Sequence, residues 1–340
     1  MPFWKHQLNR LLELIRRYPG VIAAFGFVSG IASFILVDRQ EGAARIIAVA
    51  MLISWVWLTL ENLLTRSIAR WFGFELPPPV LRYATQMIHQ ESLFFVLPFF
   101  AITTSWNSGQ ALFTGLLGAA ALVSIIDPLY YKWLAPRRWV YLAYHTLALF
   151  AVLLTALPII LQLTTSQSYQ LAIGVAVLLS FPSLVRSINV PNWWRIPLVL
   201  GMALALGGAG WLLRTWVPPA TLWLTEQVTS TELDTQQRLP GAPLRQISLA
   251  KLRSEGLYAY TAISAPRGLN ERIYHVWRRP GENSEKGDRI ALDIHGGRKE
   301  GYRAWTHKQN FPENALGRWQ VQVVTEDGQL IGVLRFLVVE

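Results

Sequence analysis

Seven apolar stretches in the first two thirds of the chain restrict its fold more than any other feature. They cover residues 21–37, 44–64, 83–104, 111–126, 140–161, 171–185 and 196–213. A helix of about 20 mostly apolar residues crosses a hydrocarbon core of roughly 30 Å, and shorter ones can span if flanking side chains snorkel or the bilayer thins. With 52% hydrophobic and 15% charged residues over 340 positions, the chain is too apolar for one ordinary soluble domain. A membrane α-helical bundle of seven transmembrane helices is therefore expected over residues 19–215. Ahead of it, residues 1–18 read as an amphipathic helix suited to the membrane interface, with Lys5, Arg10, Arg16 and Arg17 away from its apolar side. That segment lacks a signal peptide's pattern, so the first stretch is expected to remain in the mature protein.

A formal charge of +10 would suit nucleic acid if it were concentrated on one soluble domain. It is not: residues 1–215 hold 15 Lys and Arg against 7 Asp and Glu, and residues 216–340 hold 16 against 14. The excess belongs to the apolar part, where it sets orientation, and no nucleic-acid partner is expected. A cytoplasmic N-terminus puts twelve of the first fifteen basic residues inside and leaves only Arg39, Arg45 and Arg214 outside. Seven spans then deliver the C-terminal part to the periplasm of a bacterial inner-membrane protein. The chain has no cysteine, which excludes disulfides, thiolate metal sites and a thiol nucleophile.

Past Trp216 the texture changes. Residues 216–245 carry Pro218, Pro219, Pro240, Gly241 and Pro243 around a polar run, and read as a Pro-rich linker with room for one short helix over 220–228. Residues 246–340 show strand patterns at 257–265, 272–278, 289–294, 302–308, 318–326 and 329–338, the last two joined by Asp327-Gly328, a strong hairpin signal. So many short strands in a compact stretch predict an all-β immunoglobulin-like sandwich.

Three segments, AISAPRGLNERIYHVWRR at 262–279, DIHGGRKEGYRAWTHKQNFP at 293–312 and GRWQVQVVTEDGQLIGVLRF at 317–336, carry a family resemblance. They resemble proteobacterial multi-span inner-membrane proteins with a C-terminal extracytoplasmic domain of unknown function. The resemblance implies an envelope location. It brings no catalytic residues with it.

Inside the apolar part, Glu61, His89, Glu91, Asp127 and His145 fall at similar depth in the cytoplasmic half, where ionisable groups are costly and call for a reason. Residues two apart lie about 200° apart around a helix, so His89 and Glu91 face different neighbours. His89 shares its side with Gln86 and Gln90, and Tyr141, Tyr144 and His145 share a face. Three readings stay open: hydrogen bonds between packed helices, a metal or haem site bridging His89 and His145, and a polar cavity for a lipid headgroup, small solute or proton. No HExxH or other chelating spacing supports the second, and no cofactor is expected.

In the C-terminal part the densest stretch is Asp293 to Phe311. There Arg298, Tyr302, Trp305, His307 and Lys308 are candidates to hold an envelope glycan, a lipid headgroup or a protein. Trp277, Trp305 and Trp319 are expected in the sandwich core. His275, His295 and His307 lack a short chelating pair for zinc. The expected function is non-catalytic, with the sandwich binding an envelope component and the bundle serving as anchor or relay. The alternative is a membrane-embedded enzyme or transporter acting on a lipid-linked substrate through the polar cluster.

Overall fold

A computed structural model describes residues 41–72, 78–187, 191–281 and 287–340, together with Val28, Ala32 and Ile35. The expected interfacial helix over 1–18 and most of the first stretch lie outside the described residues. The chain divides into two compact units, one of residues 1–99, 114–156 and 171–211, the other of 100–113, 157–170 and 212–340.

The helices are α1 (Glu41–Phe72), α2 (Pro78–Thr103), α3 (Gln110–Ile125), a π-helix (Pro128–Leu134), α4 (Arg138–Leu161), α5 (Thr165–Ser187) and α6 (Asn192–Leu212). Two of the described helices, Arg138–Leu161 and Trp193–Leu212, are long and apolar enough to cross a membrane; a third is added if α3 and the π-helix count as one span despite a 101° bend. Seven spans are therefore not supported. The shortfall has visible causes. α2 is long but carries Arg82, Gln86, His89, Gln90 and Glu91. α3 is stopped by Pro128, which cannot donate to the helical ladder and crowds the turn before it.

The C-terminal part is all-β apart from one short helix. Its strands are β1 (Trp223–Ser230), β2 (Leu233–Asp234), β3 (Leu239–Pro240), β4 (Gln246–Ser248), β5 (Leu257–Ser264), β6 (Asn270–Arg278), β7 (Asp288–His295), β8 (Tyr302–Lys308), β9 (Gly317–Thr325) and β10 (Leu330–Val339), with α7 (Leu249–Glu255) between β4 and β5. They form a three-stranded sheet in the order β1-β5-β8, a five-stranded sheet in the order β4-β10-β9-β6-β7, and the small β2-β3 hairpin. Pairing is antiparallel except between β10 and β4. All six strands predicted from the pattern are present within two residues at each end. Alternation explains this: Ile273, His275 and Trp277 on β6, and Trp319, Val321 and Val323 on β9, all point inward.

Two expectations change. Residues 216–245 are no linker, because β1 pairs with β5 from Trp223 to Ser230, and Leu222 just before it is fully buried in the core. The expected helix over 220–228 is this strand; burial of Leu222 and Leu224 at period two outweighs local propensity. The β9–β10 turn also differs from a two-residue hairpin. Gly328 takes φ 82° while Asp327 keeps a negative φ, and the Thr325 amide donates to Gln329 O at 2.9 Å. This is a three-residue connection, a type I turn closed by a left-handed glycine.

Candidate functional site

α2 presents Gln86, His89, Gln90 and Leu93 on one buried face, at the spacing of successive helical turns. α4 presents Tyr141, Tyr144, His145 and Ala148 on one face, with Tyr144 and Ala148 buried and Tyr141 and His145 half-buried. The π-helix after Pro128 supplies Tyr130, and α1 supplies Trp55. π-helical turns inside helical proteins are frequent at functional sites.

His89 is fully buried. Its Nδ1 lies 2.8 Å from the Tyr130 hydroxyl and its Nε2 lies 3.0 Å from His145 Nδ1. The rings of Trp55, Tyr144 and His145 approach it edge-on at 5.5, 5.2 and 5.2 Å between centroids, and Tyr141 stacks beside His145 at 6.3 Å. Trp55 Nε1 donates to Ser92 Oγ at 2.8 Å, and Tyr144 donates to the Ala120 carbonyl at 3.2 Å. A turn before His89, Gln86 Nε2 donates to Asp127 Oδ1 at 2.9 Å and to the Ser124 carbonyl at 3.0 Å.

Chemistry restricts the protons. Of the two nitrogens facing each other between His89 and His145, one carries hydrogen and the other does not. In one neutral arrangement Tyr130 donates to His89 Nδ1, and His89 Nε2–H donates to His145 Nδ1. In the other, His145 Nδ1–H donates to His89 Nε2, and His89 Nδ1–H donates to the Tyr130 oxygen. Taking up one proton at Tyr130 and releasing one from His145 Nε2 converts the first into the second. The geometry is thus that of a short proton wire. Beside it, Gln86 Oε1 and Gln90 Nε2 are buried with no hydrogen-bond partner among the described residues. Such orphaned atoms are costly, and a polar guest beside His89 would satisfy them.

The five residues singled out from sequence fare differently. His89 and His145 meet directly, and Asp127 reaches the same face of α2 through Gln86. Glu91 is half-buried and, two residues on, faces away from His89. The Glu61 side chain lies outside the described residues. A metal site between the histidines would need further ligands, and among the described residues no group of three or more His, Asp and Glu side chains is arranged to hold one. Sequence reasoning missed Trp55 and Tyr130; the only signal for Tyr130 was the helix break at Asp127-Pro128.

In the β unit the predicted ligand residues separate onto two faces. Trp305 and His307 lie on the outer face of the three-stranded sheet, across from Tyr260 and Tyr258. His307 stacks on Tyr258 at 3.9 Å and donates to the Glu255 carbonyl at 3.0 Å. Tyr302 and Lys308 face inward: Tyr302 packs on the core beneath Arg298 at 5.3 Å, and Lys308 pairs with Asp288 and lies over Phe311. They do not build one site. Trp277 and Trp319 are core residues as expected, whereas Trp305 is half-buried on the outer face. Nor do the three histidines meet: His295 contacts Asn270 Oδ1 at 2.6 Å, and His275 is enclosed between the sheets.

His275 Nε2 lies 3.1 Å from Thr261 Oγ1 and its Nδ1 3.0 Å from Thr306 Oγ1, which also accepts from Trp277 Nε1 at 3.1 Å. One directed chain satisfies every group: Trp277 to Thr306 to His275 to Thr261 to the Ala304 carbonyl at 3.4 Å. Burial pushes this imidazole down to about 3. Glu271 is the second buried ionisable group here. Its Oε2 accepts from the Thr165 amide at 2.7 Å and hydroxyl at 3.0 Å, at the first turn of α5, and burial outweighs those bonds to raise its carboxyl to about 7. That turn is also closed by a capping box, Thr164 Oγ1 accepting from the Gln167 amide at 3.2 Å and Gln167 Oε1 from the Thr164 amide at 3.0 Å.

The elements so far define a protein with a helical N-terminal region, holding a hydrogen-bonded Tyr-His-His chain, and a C-terminal β-sandwich-like region. Residues 1–259 match the model of a family of unknown function, DUF5924, and the chain belongs to that family. Residues 270–338 match a second model, a protein of unknown function, DUF2914. The first match ends within β5 and the second begins at β6, so the sandwich draws strands from both. No curated protein and no solved structure matches the chain.

Proposed function

We propose that this is a bacterial inner-membrane protein whose helical unit moves a proton, as part of an enzyme or transporter acting on a lipid-linked substrate. The observation that carries the reading is the Tyr130–His89–His145 chain beside a broken helix. Ionisable residues at such depth commonly mark pathways, and irregular backbone is tolerated in a membrane where it is buried in protein or lines a cavity. The membrane itself is supported by the apolar side chains the helices expose: Ile196, Leu200, Leu204, Leu206 and Leu212 on α6 all point away from protein. Basic residues at the connections favour a cytoplasmic N-terminus and a periplasmic β part.

The test is complementation of a host deletion strain by His89→Gln, His145→Gln and Tyr130→Phe at matched abundance. Loss of function in all three is expected. Full complementation by all of them would sink the reading.

A second reading, in which the sandwich binds an envelope component (glycan, lipid headgroup or protein) and the helices anchor it or relay its state, has its own support. The sandwich does not hang on a free tether: Gln110 Nε2 donates to the Leu330 carbonyl at 2.9 Å, Gln329 Nε2 to the Val217 carbonyl at 2.8 Å, and Glu271 holds Thr165. A Cβ on Gly109 would lie 3.0 Å from the Trp216 ring, so this position favours glycine for close approach. Load on the sandwich would pass directly into the turns at 104–110 and 162–165. We read the sandwich as immunoglobulin-like: β1-β5-β8 and β10-β9-β6-β7 take the places of strands A-B-E and G-F-C-C′.

A further inference from the structure

The outer face of the five-stranded sheet was not singled out by any sequence motif, because its residues come from four strands. Strand register assembles it. Arg335, Gln320 and Arg278 stand in one row across β10, β9 and β6. In the next row Val333, Gln322 and Val276 lead to Arg289 on β7, with Tyr274 one row further under the Arg289 guanidinium at 3.7 Å. Arg318 lies beyond Gln320, and Arg272 closes the far end, paired with Asp293 at 2.9 Å.

The face therefore carries five arginines against Asp293, which Arg272 engages, and Glu326 at the hairpin end. Arg272, Arg289, Arg318 and Arg335 are exposed, and Arg318 and Arg335 make no ion pair among the described residues. Residues inward of this layer, Trp319, Val321, Phe336 and their neighbours, already fill the core, so packing does not require the arginines.

We propose that this face binds a glycan chain bearing carboxylate or phosphate groups. The inference rests on the second reading above, that the sandwich binds an envelope component, and supplies the chemistry of that component. Arginine's planar fork matches carboxylate and phosphate oxygens. Arg335 and Arg278 stand two strands apart, about 10 Å, with Gln320 between them, so anionic groups along a polymer can be met in succession while the amide reaches hydroxyls. A bilayer fits less well. Of the large aliphatic residues on this face, Val276 and Val324 are buried, Val333 and Leu337 are half-buried, and Val339, at the rim, is exposed. Little is left to enter lipid.

The test uses full-length protein in nanodiscs of zwitterionic lipid, titrated calorimetrically with an oligogalacturonate, a glycerol-phosphate oligomer, neutral maltohexaose and phosphatidylglycerol vesicles. Binding of at least one anionic oligomer, none of maltohexaose, and weakening with added salt are expected. The double change R318A/R335A should weaken that binding at least ~tenfold, the scale of one lost charge-assisted contact, with thermal unfolding unchanged because both side chains are exposed. Failure of wild-type protein to bind either anionic oligomer overturns the proposal, as does binding confined to anionic vesicles. Oligomer binding that R318A/R335A leaves intact also overturns it, but keeps the sandwich-binding reading and moves the site to another face. If these titrations fail while sandwich variants still lose complementation, the ligand chemistry is wrong and the reading survives.

Discussion

Two fully buried histidines, His89 in the helical unit and His275 in the β unit, show how differently the same side chain can be used. His275 sits within a directed chain of donors that runs from Trp277 to the Ala304 carbonyl, in which each proton has one place to go, and its pairing is complete without another titratable group. His89 faces a second imidazole and a phenol, so its protons have two alternative arrangements, and the amides flanking it keep atoms unpartnered among the described residues. A saturated network contributes rigidity and specifies a core. A degenerate one, with orphaned neighbours, is what a site that handles protons requires. Burial does not distinguish the two histidines, and neither does the number of partners, two each; what differs is whether those partners fix the direction of each proton.

This comparison can be broken most readily at His275. Its imidazole takes a proton at about pH 3 when folded against 6.5 in a model peptide, so between those values the unfolded chain binds the proton more readily and stability is lost as pH falls. The loss approaches about 5 kcal/mol near pH 3. His275→Ala should cost about 3–5 kcal/mol at neutral pH by opening a cavity and stranding Thr261, Thr306 and Trp277, and it should remove that acid dependence. Tryptophan-fluorescence unfolding across pH measures both; an unchanged acid limb in the variant would contradict the assignment.

Glu271 is expected to act with the opposite sign. Its carboxyl is raised to about 7, so the folded state holds the proton more tightly, and stability present at low pH is lost as pH rises from 4.5 through 7. The size is about 3 kcal/mol. Glu271→Gln keeps an acceptor for the Thr165 amide and should stabilise the protein at pH 8 while changing little at pH 4, with protection of that amide against hydrogen exchange following the same trend.

Smaller effects are expected in the helical unit. His145→Ala should lower stability in detergent by about 2 kcal/mol, less than His275→Ala, because the network it enters already tolerates unpaired atoms. Tyr130→Phe keeps the ring contacts, removes one hydrogen bond and should cost about 1 kcal/mol. If Tyr130→Phe is silent for stability yet abolishes complementation, the contrast between the two histidines is sharpened; if His145→Ala proves as damaging as His275→Ala, the contrast collapses.

Much of the β unit was legible in the chain, since strands such as β6 and β9 alternate inward and outward at period two and write their burial into neighbouring residues. β1 was not, because Pro218 and Pro219 masked the short alternation that follows. Of the candidate sites, the shared face of Tyr141, Tyr144 and His145 could be read from helical spacing, and so could the divergence of His89 from Glu91. The separation of Tyr302 and Lys308 from Trp305 and His307 also followed from alternation, yet gathering them into one binding site went against it.

Local order, then, belongs to the sequence: where strands run, which face of α2 holds His89, where Gly328 turns the chain. Whether His89 meets His145 and which arginines share a sheet face were decided only in the tertiary structure. The reason is physical. Periodicity is a property of neighbours within one element, whereas a proton shared by two imidazoles or a row of arginines across strands depends on register and approach between elements far apart in the chain.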